Sequence, residues 1–522
     1  MIIRKDNIKI QFATKKFLRG DLYLPKTEEK LPTLVFRTPY GKKVAQTYFF
    51  NSPEWFAEQG FAVFVQDVRG RGASDGEFTP IGNEAIDGNL TVNWVLNQAW
   101  SNQEIFGLGY SYCGLNQIIT QKINQNFKAI SPALYFTNLF NDCLVQSNTV
   151  ASSFLLSWAQ TLGATTFNNL NKHELQEVLL KNSTLGLKQY STKNWFTDWL
   201  ESCESKVKIP NLVQSKPDVP TLHLGGFYDT FRRSVISNFQ DHKFSNLDNL
   251  VMGPWNHYPS KISANYDYES TSNSIWNPSN LIIDFYQKIR NKGDINLDKR
   301  VNVGVLNSGN LQISGKKWPP IEPTNINFYL GSSGQANCVV SDGKLEKDVT
   351  GTVPDYLTYN HADPLILNGG DDCGDPALLE LGPKIQNPNE FRFDVLTYTS
   401  EIFQIDNLFI GDAFLELYVE TTDLVSQWFS RICLVNKKNI SINLFDAVLT
   451  VNNLDKLTKV KLEFGPVSFV IKQGEKLRIQ ITNGAFPRWE ILRDKYGNPV
   501  VQKSIILHNI NYPSKLVLPM AS

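Results

Sequence analysis

The residue best placed to do chemistry is Ser111, in GLGYSYCG (residues 107–114), directly after an apolar run and before the helix-compatible LNQIITQKI. In a nucleophile elbow a serine sits on a tight strand-to-helix turn. Its neighbours need little bulk, its Oγ projects above the sheet, and the next backbone N–H, here that of Tyr112, points at an oxyanion. Gly109 and Gly114 supply small neighbours, although Cys113 stands where a GxSxG pattern has its second glycine. Taken alone, such a string reads as an ordinary turn serine.

A serine nucleophile needs a base, and the chain offers His173, His223, His242, His257, His361 and His508. His257 fits best, because it follows the strand-like NLVM and the turn formed by Gly253, Pro254, Trp255 and Asn256, which can hold an imidazole at the carboxyl edge of a sheet. His223 lies inside a strand pattern and reads as a core histidine. His173 and His242 read as surface residues, and His361 and His508 fall in a β-rich region. Where such a triad is built on a mostly parallel sheet, the chain order is serine, acid, histidine. Asp229, in TLHLGGFYD, lies in that interval just beyond a strand, and the Gly225–Gly226 pair is expected to permit a sharp exit that lets the carboxylate accept the His257 Nδ1–H. Asp218 and Asp241 lack that context. Taken alone, Asp229 reads equally as a helix N-cap. A second oxyanion donor is sought after an early strand, where the Tyr40 hydroxyl in RTPYG can donate; by itself Tyr40 reads as a packing residue.

These residues need a scaffold to converge. Residues 33–37, 61–66 and 105–110 are short apolar runs separated by helix-like stretches such as 84–97, an α/β alternation around a largely parallel sheet. The strand signature resumes at 221–225 and 249–252, and 279–290 reads as an amphipathic helix. Between them, HELQEVLLKN and NWFTDWLES carry apolar spacing near 3.6. The expected organisation is α/β: a hydrolase-type catalytic domain of residues 1–134 and 216–320, an inserted helical cap of residues 135–215, and an all-β jelly roll over 321–522, where alternating runs such as GDAFLELYVETT and EKLRIQITN dominate. Pro319, Pro320 and Pro323 mark the last join.

Composition narrows the function classes. Lys plus Arg and Asp plus Glu are each 51 in 522 residues, so no positive excess exists to drive binding to nucleic acid or anionic lipid. There is no apolar run of membrane-spanning length and no signal-peptide pattern at the start, so a cytoplasmic protein is expected. Six isolated cysteines form no metal-spaced cluster and read as buried free thiols; no cofactor and no metal is expected.

Taken together, RTPYGKK, QDVRGRGASDGEF (66–78), GYSYCG, HLGGFYD, GPWNH, DYLTYNHADPLILNGG and GEKLRIQITNGAFPR resemble the family of cocaine esterase, α-amino-acid ester hydrolases and Xaa-Pro dipeptidyl peptidases. The resemblance implies an α/β-hydrolase domain, a helical cap and a C-terminal jelly roll. It makes Ser111 the nucleophile, Asp229 and His257 its triad partners, and the Tyr40 hydroxyl with the Tyr112 amide the oxyanion hole, reversing the packing reading of Tyr40. The loop from Asp67 to Asp75 looks like a family signature and reads as structural, with Arg69, Arg71, Asp67 and Asp75 pairing and capping locally.

The peptidases of the family resemble longer chains with an extra N-terminal domain, whereas this chain enters its first strand almost at once, so a small ester or simple amide is the expected substrate. The acids of the cap stretch are Asp142, Glu174, Glu177, Asp198, Glu201 and Glu204, and they do not map onto the carboxylate cluster that the ester hydrolases place near a substrate ammonium. The expected activity is acyl-ester or amide hydrolysis through an acyl-enzyme. The alternatives are an acyltransferase using the same intermediate, an Xaa-Pro dipeptidyl peptidase, and a glycan-binding protein with an inert hydrolase domain. A homo-oligomer is compatible with the sequence.

Overall fold

The computed structural model describes residues 1–44, 50–167, 170–206, 217–241, 247–258, 277–291, 301–309, 311–338, 340–374, 379–452 and 455–521. Its first half is a sheet with the elements β1 (Ile2–Ala13), β2 (Lys16–Pro25), β3 (Leu31–Thr38), α1 (Pro53–Glu58), β4 (Ala62–Asp67), α2 (Glu84–Leu96), β5 (Ser101–Tyr110), α3 (Tyr112–Ile123) and β6 (Phe127–Ala133). After an insertion, described below, the sheet resumes with β9 (Leu222–Tyr228), α7 (Arg232–Gln240), β10 (Asn249–Asn256), α8 (Pro278–Asn291), β11 (Val301–Gly304) and β12 (Gln312–Gly315). The ten strands lie in the order β1-β2-β4-β3-β5-β6-β9-β10-β11-β12. From β4 to β11 every pairing is parallel. Strands covered on both faces read as unbroken apolar runs, and every residue of β3 and β4 is buried. The outer strand β1 is mostly exposed and carries Arg4, Lys5, Asp6 and Lys9, charges that discourage edge-to-edge pairing.

Between β6 and β9 the chain forms a π-helical turn (Leu139–Leu144), a two-stranded ribbon β7 (Val145–Gln146) and β8 (Thr149–Val150), α4 (Ser152–Thr161), α5 (Lys172–Lys181), a 3-10 turn (Leu185–Tyr190) and α6 (Asn194–Ser205). The two helices expected from apolar spacing are α5 and α6. Asn171 and Glu174 close α5 with a reciprocal capping box. On α6, Trp195, Phe196, Trp199, Leu200 and Cys203 fall on one buried face. The expected join at residues 215 and 216 lies outside the described residues, as does His242.

Beyond Pro323 the chain is all-β, with eleven strands from Pro323–Gly331 to Lys515–Ala521 and, among the described residues, one helical turn at Asn387–Glu390. The antiparallel pair of Asn407–Thr421 with Leu457–Ile471 is the longest pairing among the described residues. Its core holds Trp428, Phe409 and Phe469, the last two rings stacked 5.1 Å apart. This apolar core runs without a break into that of the first sheet through Phe227, Val301, Val303 and Leu306. The Leu306 N–H also donates to Ser468 O, and the Leu306 carbonyl accepts from Val470 N–H, each at 3.0 Å. The fold is an α/β-hydrolase sheet with a helical insertion, followed by an all-β sandwich of jelly-roll type, as the sequence led us to expect. No described helix is long and apolar enough to cross a membrane.

Candidate active site

Ser111 follows β5 and precedes α3 with φ 54° and ψ −128°, a conformation that non-glycine residues adopt only when the surroundings enforce it. The enforcement is visible. Ser111 N–H donates to Ala133 O at the end of β6 at 2.8 Å. A Cβ on Gly109 would lie 2.6 Å from Cys113 O, and one on Gly114 would lie 2.8 Å from the Tyr135 Cβ. These are the two small neighbours an elbow requires. Cys113 is buried, and burial pushes its thiol up to about 12.

His257 follows β10, and Asp229 follows β9, the adjacent parallel strand. His257 Nδ1 lies 2.6 Å from Asp229 Oδ2 and His257 Nε2 lies 3.1 Å from Ser111 Oγ, with all three residues buried. A carboxylate only accepts, so Nδ1 donates to Asp229 and Nε2 is the ring nitrogen that faces the serine hydroxyl. The other oxygen, Asp229 Oδ1, accepts the Phe231 N–H at 2.8 Å at the start of α7. The N-cap position of α7 is Phe231 and no side chain caps it, so Asp229 braces the turn ahead of the helix and is not the helix N-cap that the sequence also allowed.

The paired glycines act differently from the expectation. Gly225 and Gly226 lie within β9, which continues to Tyr228. A Cβ on Gly225 would meet the Met252 sulfur at 2.5 Å, and one on Gly226 would meet Trp255 O at 2.3 Å. They let β10 approach closely rather than turning the chain.

Tyr112 opens α3, so its N–H is among the four that a helix leaves without an intrahelical acceptor. Its side chain is clamped below: the hydroxyl donates to Glu84 Oε1 and accepts from Ile81 N–H, both at 2.8 Å. Glu84 is buried, which raises its carboxyl above the ordinary range against the pull of Arg37, whose guanidinium lies 3.1 Å away. Arg37 also donates to Gln66 Oε1 and Asn116 Oδ1, tying β3, β4, α2 and α3 together beneath the elbow.

Tyr40, half-buried just after β3, accepts the Trp158 Nε1–H from α4 at 3.2 Å. Burial holds its phenol well above the ordinary value, and the neighbours felt electrostatically include Cys113 and Tyr110, on either side of Ser111. An aromatic series extends from the base: Phe231 is 5.5 Å from the His257 ring, Phe136 is 5.2 Å from Phe231, and Trp158 is 6.1 Å from Phe136. Phe136, Trp158 and Phe231 were not singled out by the sequence reading; their signal is aromatic richness alone, which a core shares.

The charged loop after β4 also departs from expectation. Asp67 does cap locally, accepting from Ala73 N–H at 2.8 Å, and it also accepts from Lys42 N–H. Asp75, however, accepts from Phe17 N–H, and Arg69 pairs with Asp87. Arg71 leaves the loop altogether: Nε donates to Pro39 O at 2.7 Å and Nη1 to Leu162 O at 2.8 Å. The remaining described histidines are structural or peripheral. His223 bonds the Tyr135 hydroxyl, His508 faces Asp355, His361 accepts from Leu492 N–H, and His173 lies on α5. All six cysteines are free, and all but Cys338 are buried. No cluster able to hold a metal ion occurs among the described residues.

This fold with this site defines the class: the protein is a serine hydrolase. Residues 17–259 match the family described as X-Pro dipeptidyl-peptidase (S15 family), and residues 294–517 match the X-Pro dipeptidyl-peptidase C-terminal non-catalytic domain. Most of the chain is covered by the two, and it belongs to this family. It is similar to the cocaine esterase of Rhodococcus sp. (strain MB1 Bresler), with 24% identity across 98% of both chains. In fold it resembles an aminopeptidase from the marine sediment archaeon Thaumarchaeota archaeon (TM-score 0.79, 16% identity, 100% and 97% of the two chains covered). It also resembles an α-amino acid ester hydrolase (TM-score 0.77, 17% identity, 99% and 96% covered).

Proposed function

We propose that the protein hydrolyses small carboxylic esters through an acyl-enzyme on Ser111. His257 removes the hydroxyl proton as Oγ attacks the carbonyl carbon, and Asp229 stabilises the imidazolium that forms. The Tyr112 amide and the Tyr40 hydroxyl receive the oxyanion. Collapse expels the alcohol, protonated by His257; water activated by the same imidazole then releases the acid and restores the serine. The observation that carries this reading is the hydrogen-bonded series from Asp229 through His257 to Ser111.

The surroundings favour an uncharged, apolar acyl group. Phe231, Phe136 and Trp158 follow one another outward from the base. The carboxylates of the insertion are engaged or exposed. Asp142 accepts from Thr137 N–H, Asn138 N–H and Ser234 Oγ. Glu174 caps α5, Glu177 and Glu201 pair with Lys181 and Lys188, and Asp198 and Glu204 face solvent. A substrate ammonium has no partner among these six.

The test is fluorophosphonate labelling of the full chain with the modified residue located by mass spectrometry, followed by comparison of aromatic and aliphatic acyl esters with aminoacyl esters and Xaa-Pro amides. Labelling confined to Ser111 and absent in Ser111→Ala, with kcat/KM highest on the apolar acyl esters, is the expected result. Labelling elsewhere removes the nucleophile assignment, and preference for aminoacyl or Xaa-Pro substrates removes the acyl-group assignment.

A further inference from the structure

We infer that Trp158 is a positioning residue that sets the direction in which Tyr40 donates its proton, with Arg71 fixing the separation of the pair. The inference rests on the proposed role of Tyr40 as an oxyanion donor.

The argument begins with hydrogen-bond inventory. An indole N–H only donates, whereas a phenol carries one proton and two lone pairs. The 3.2 Å contact between Trp158 Nε1 and the Tyr40 oxygen therefore has one possible direction, and it commits a lone pair of Tyr40. The phenolic proton is turned away from α4. Tyr40 packs against the apolar clusters that contain Tyr112 and Cys113, the residues that follow Ser111, so the elbow is a neighbour of this side chain. Burial holds the phenol neutral, which keeps the proton on it. Accepting one hydrogen bond also polarises the O–H and strengthens the bond it gives.

The second observation concerns the backbone on both sides of this pair. Pro39, directly before Tyr40, offers its carbonyl to Arg71 Nε at 2.7 Å. The same guanidinium donates to Leu162 O at 2.8 Å and Thr161 O at 3.2 Å, at the C-terminal end of the helix that carries Trp158. Those carbonyls lack intrahelical donors, and a cation there suits the helix end. One side chain thus ties the Tyr40 segment of the α/β unit to α4 of the insertion. Trp158 is itself buried and packed against Phe154, Phe136 and Trp199, which leaves its indole little freedom to follow a moving partner.

The experiment is a double-mutant cycle in the full chain: wild type, Trp158→Phe, Tyr40→Phe and the pair, with kcat and KM measured on an acetyl and a longer acyl ester. Tyr40→Phe is expected to lower kcat about 100-fold or more, the cost of losing one oxyanion donor. Trp158→Phe is expected to lower kcat about tenfold with KM nearly unchanged on the acetyl ester, the scale of a single hydrogen bond. In the Tyr40→Phe background the same Trp158 change should do almost nothing to kcat, because no phenolic proton is left to direct. An equal loss in both backgrounds, or no loss in the Trp158 variant while Tyr40→Phe is impaired, overturns the inference and leaves Tyr40 as donor. An unimpaired Tyr40→Phe overturns the donor assignment itself and the inference with it. Arg71→Gln supplies a second variant that retains both aromatic groups: its kcat loss should likewise disappear without the Tyr40 hydroxyl, and a loss that persists there counts against the tie.

Discussion

Asp229 holds His257 with one oxygen and the turn leading into α7 with the other: Oδ2 is 2.6 Å from the imidazole Nδ1 and Oδ1 is 2.8 Å from Phe231 N. The carboxylate is fully buried, and both of its oxygens are engaged. Asp229→Asn can keep the contact with Phe231 N–H through its carbonyl while presenting an amide to the imidazole. That reverses the tautomer, and kcat should fall by about 10⁴-fold. Thermal unfolding should shift little by comparison, and a variant with near-normal turnover would exclude Asp229 as the acid.

The elbow tolerates no extra carbon on one side. Gly114→Ala would set a Cβ 2.8 Å from the Cβ of Tyr135, which has no flexible end to yield. Overpacking of this kind costs about 1–3 kcal/mol. A lowered denaturation midpoint with reduced kcat is expected. Gly186→Ala is the control: its nearest neighbour would be Ser183 Oγ at 3.4 Å, an ordinary contact.

His361 makes stability depend on pH. Burial lowers its pKa from 6.5 to about 4. Between those values the unfolded chain binds a proton that the folded chain refuses, so stability rises with pH across the window. It is fully present above 6.5 and lost as pH falls toward 4, by about 3 kcal/mol. Denaturant unfolding from pH 4 to 7 should show a steeper slope in wild type than in His361→Gln; identical slopes would assign the titration to other groups.

A buried charge network joins the β-sandwich to the helix after Asp229. Asp371 pairs with Arg232 of α7 and with Arg488, and Asp446 pairs with Arg431 at 2.6 Å. Burial already lowers the Arg232 guanidinium to about 9. Asp371→Ala leaves two buried cations short of a partner and should cost about 3–5 kcal/mol. Calorimetry checks this, and an unchanged melting temperature would mean that solvent reaches the arginines.

The central strands were legible because strands covered on both faces, such as β3 and β4, must be apolar throughout. Ser111 and His257 stood out because small residues around a serine and a histidine just past a strand are local features. What escaped was long-range. The role of Gly225 and Gly226 is set by Met252 and Trp255 of the next strand, and the partners of Arg71 lie 32 and 91 residues away. The charged strand β1, exposed along most of its length, offered no apolar pattern to read. Trp158 Nε1 donating to Tyr40 required knowing that α4 folds back over the Tyr40 segment, which no periodicity encodes.

The apolar interior that continues from Val301 and Leu306 into Phe409 and Phe469 has a consequence for how the molecule comes apart. A seam filled with side chains is not a hinge. Separating the sandwich would strip the flank of β9, β10 and β11 of its cover and expose the strand that carries Asp229 on its end. The C-terminal half is therefore part of the same folded body as the strands that carry Asp229 and His257, and the chain should melt as one body instead of shedding a working N-terminal fragment.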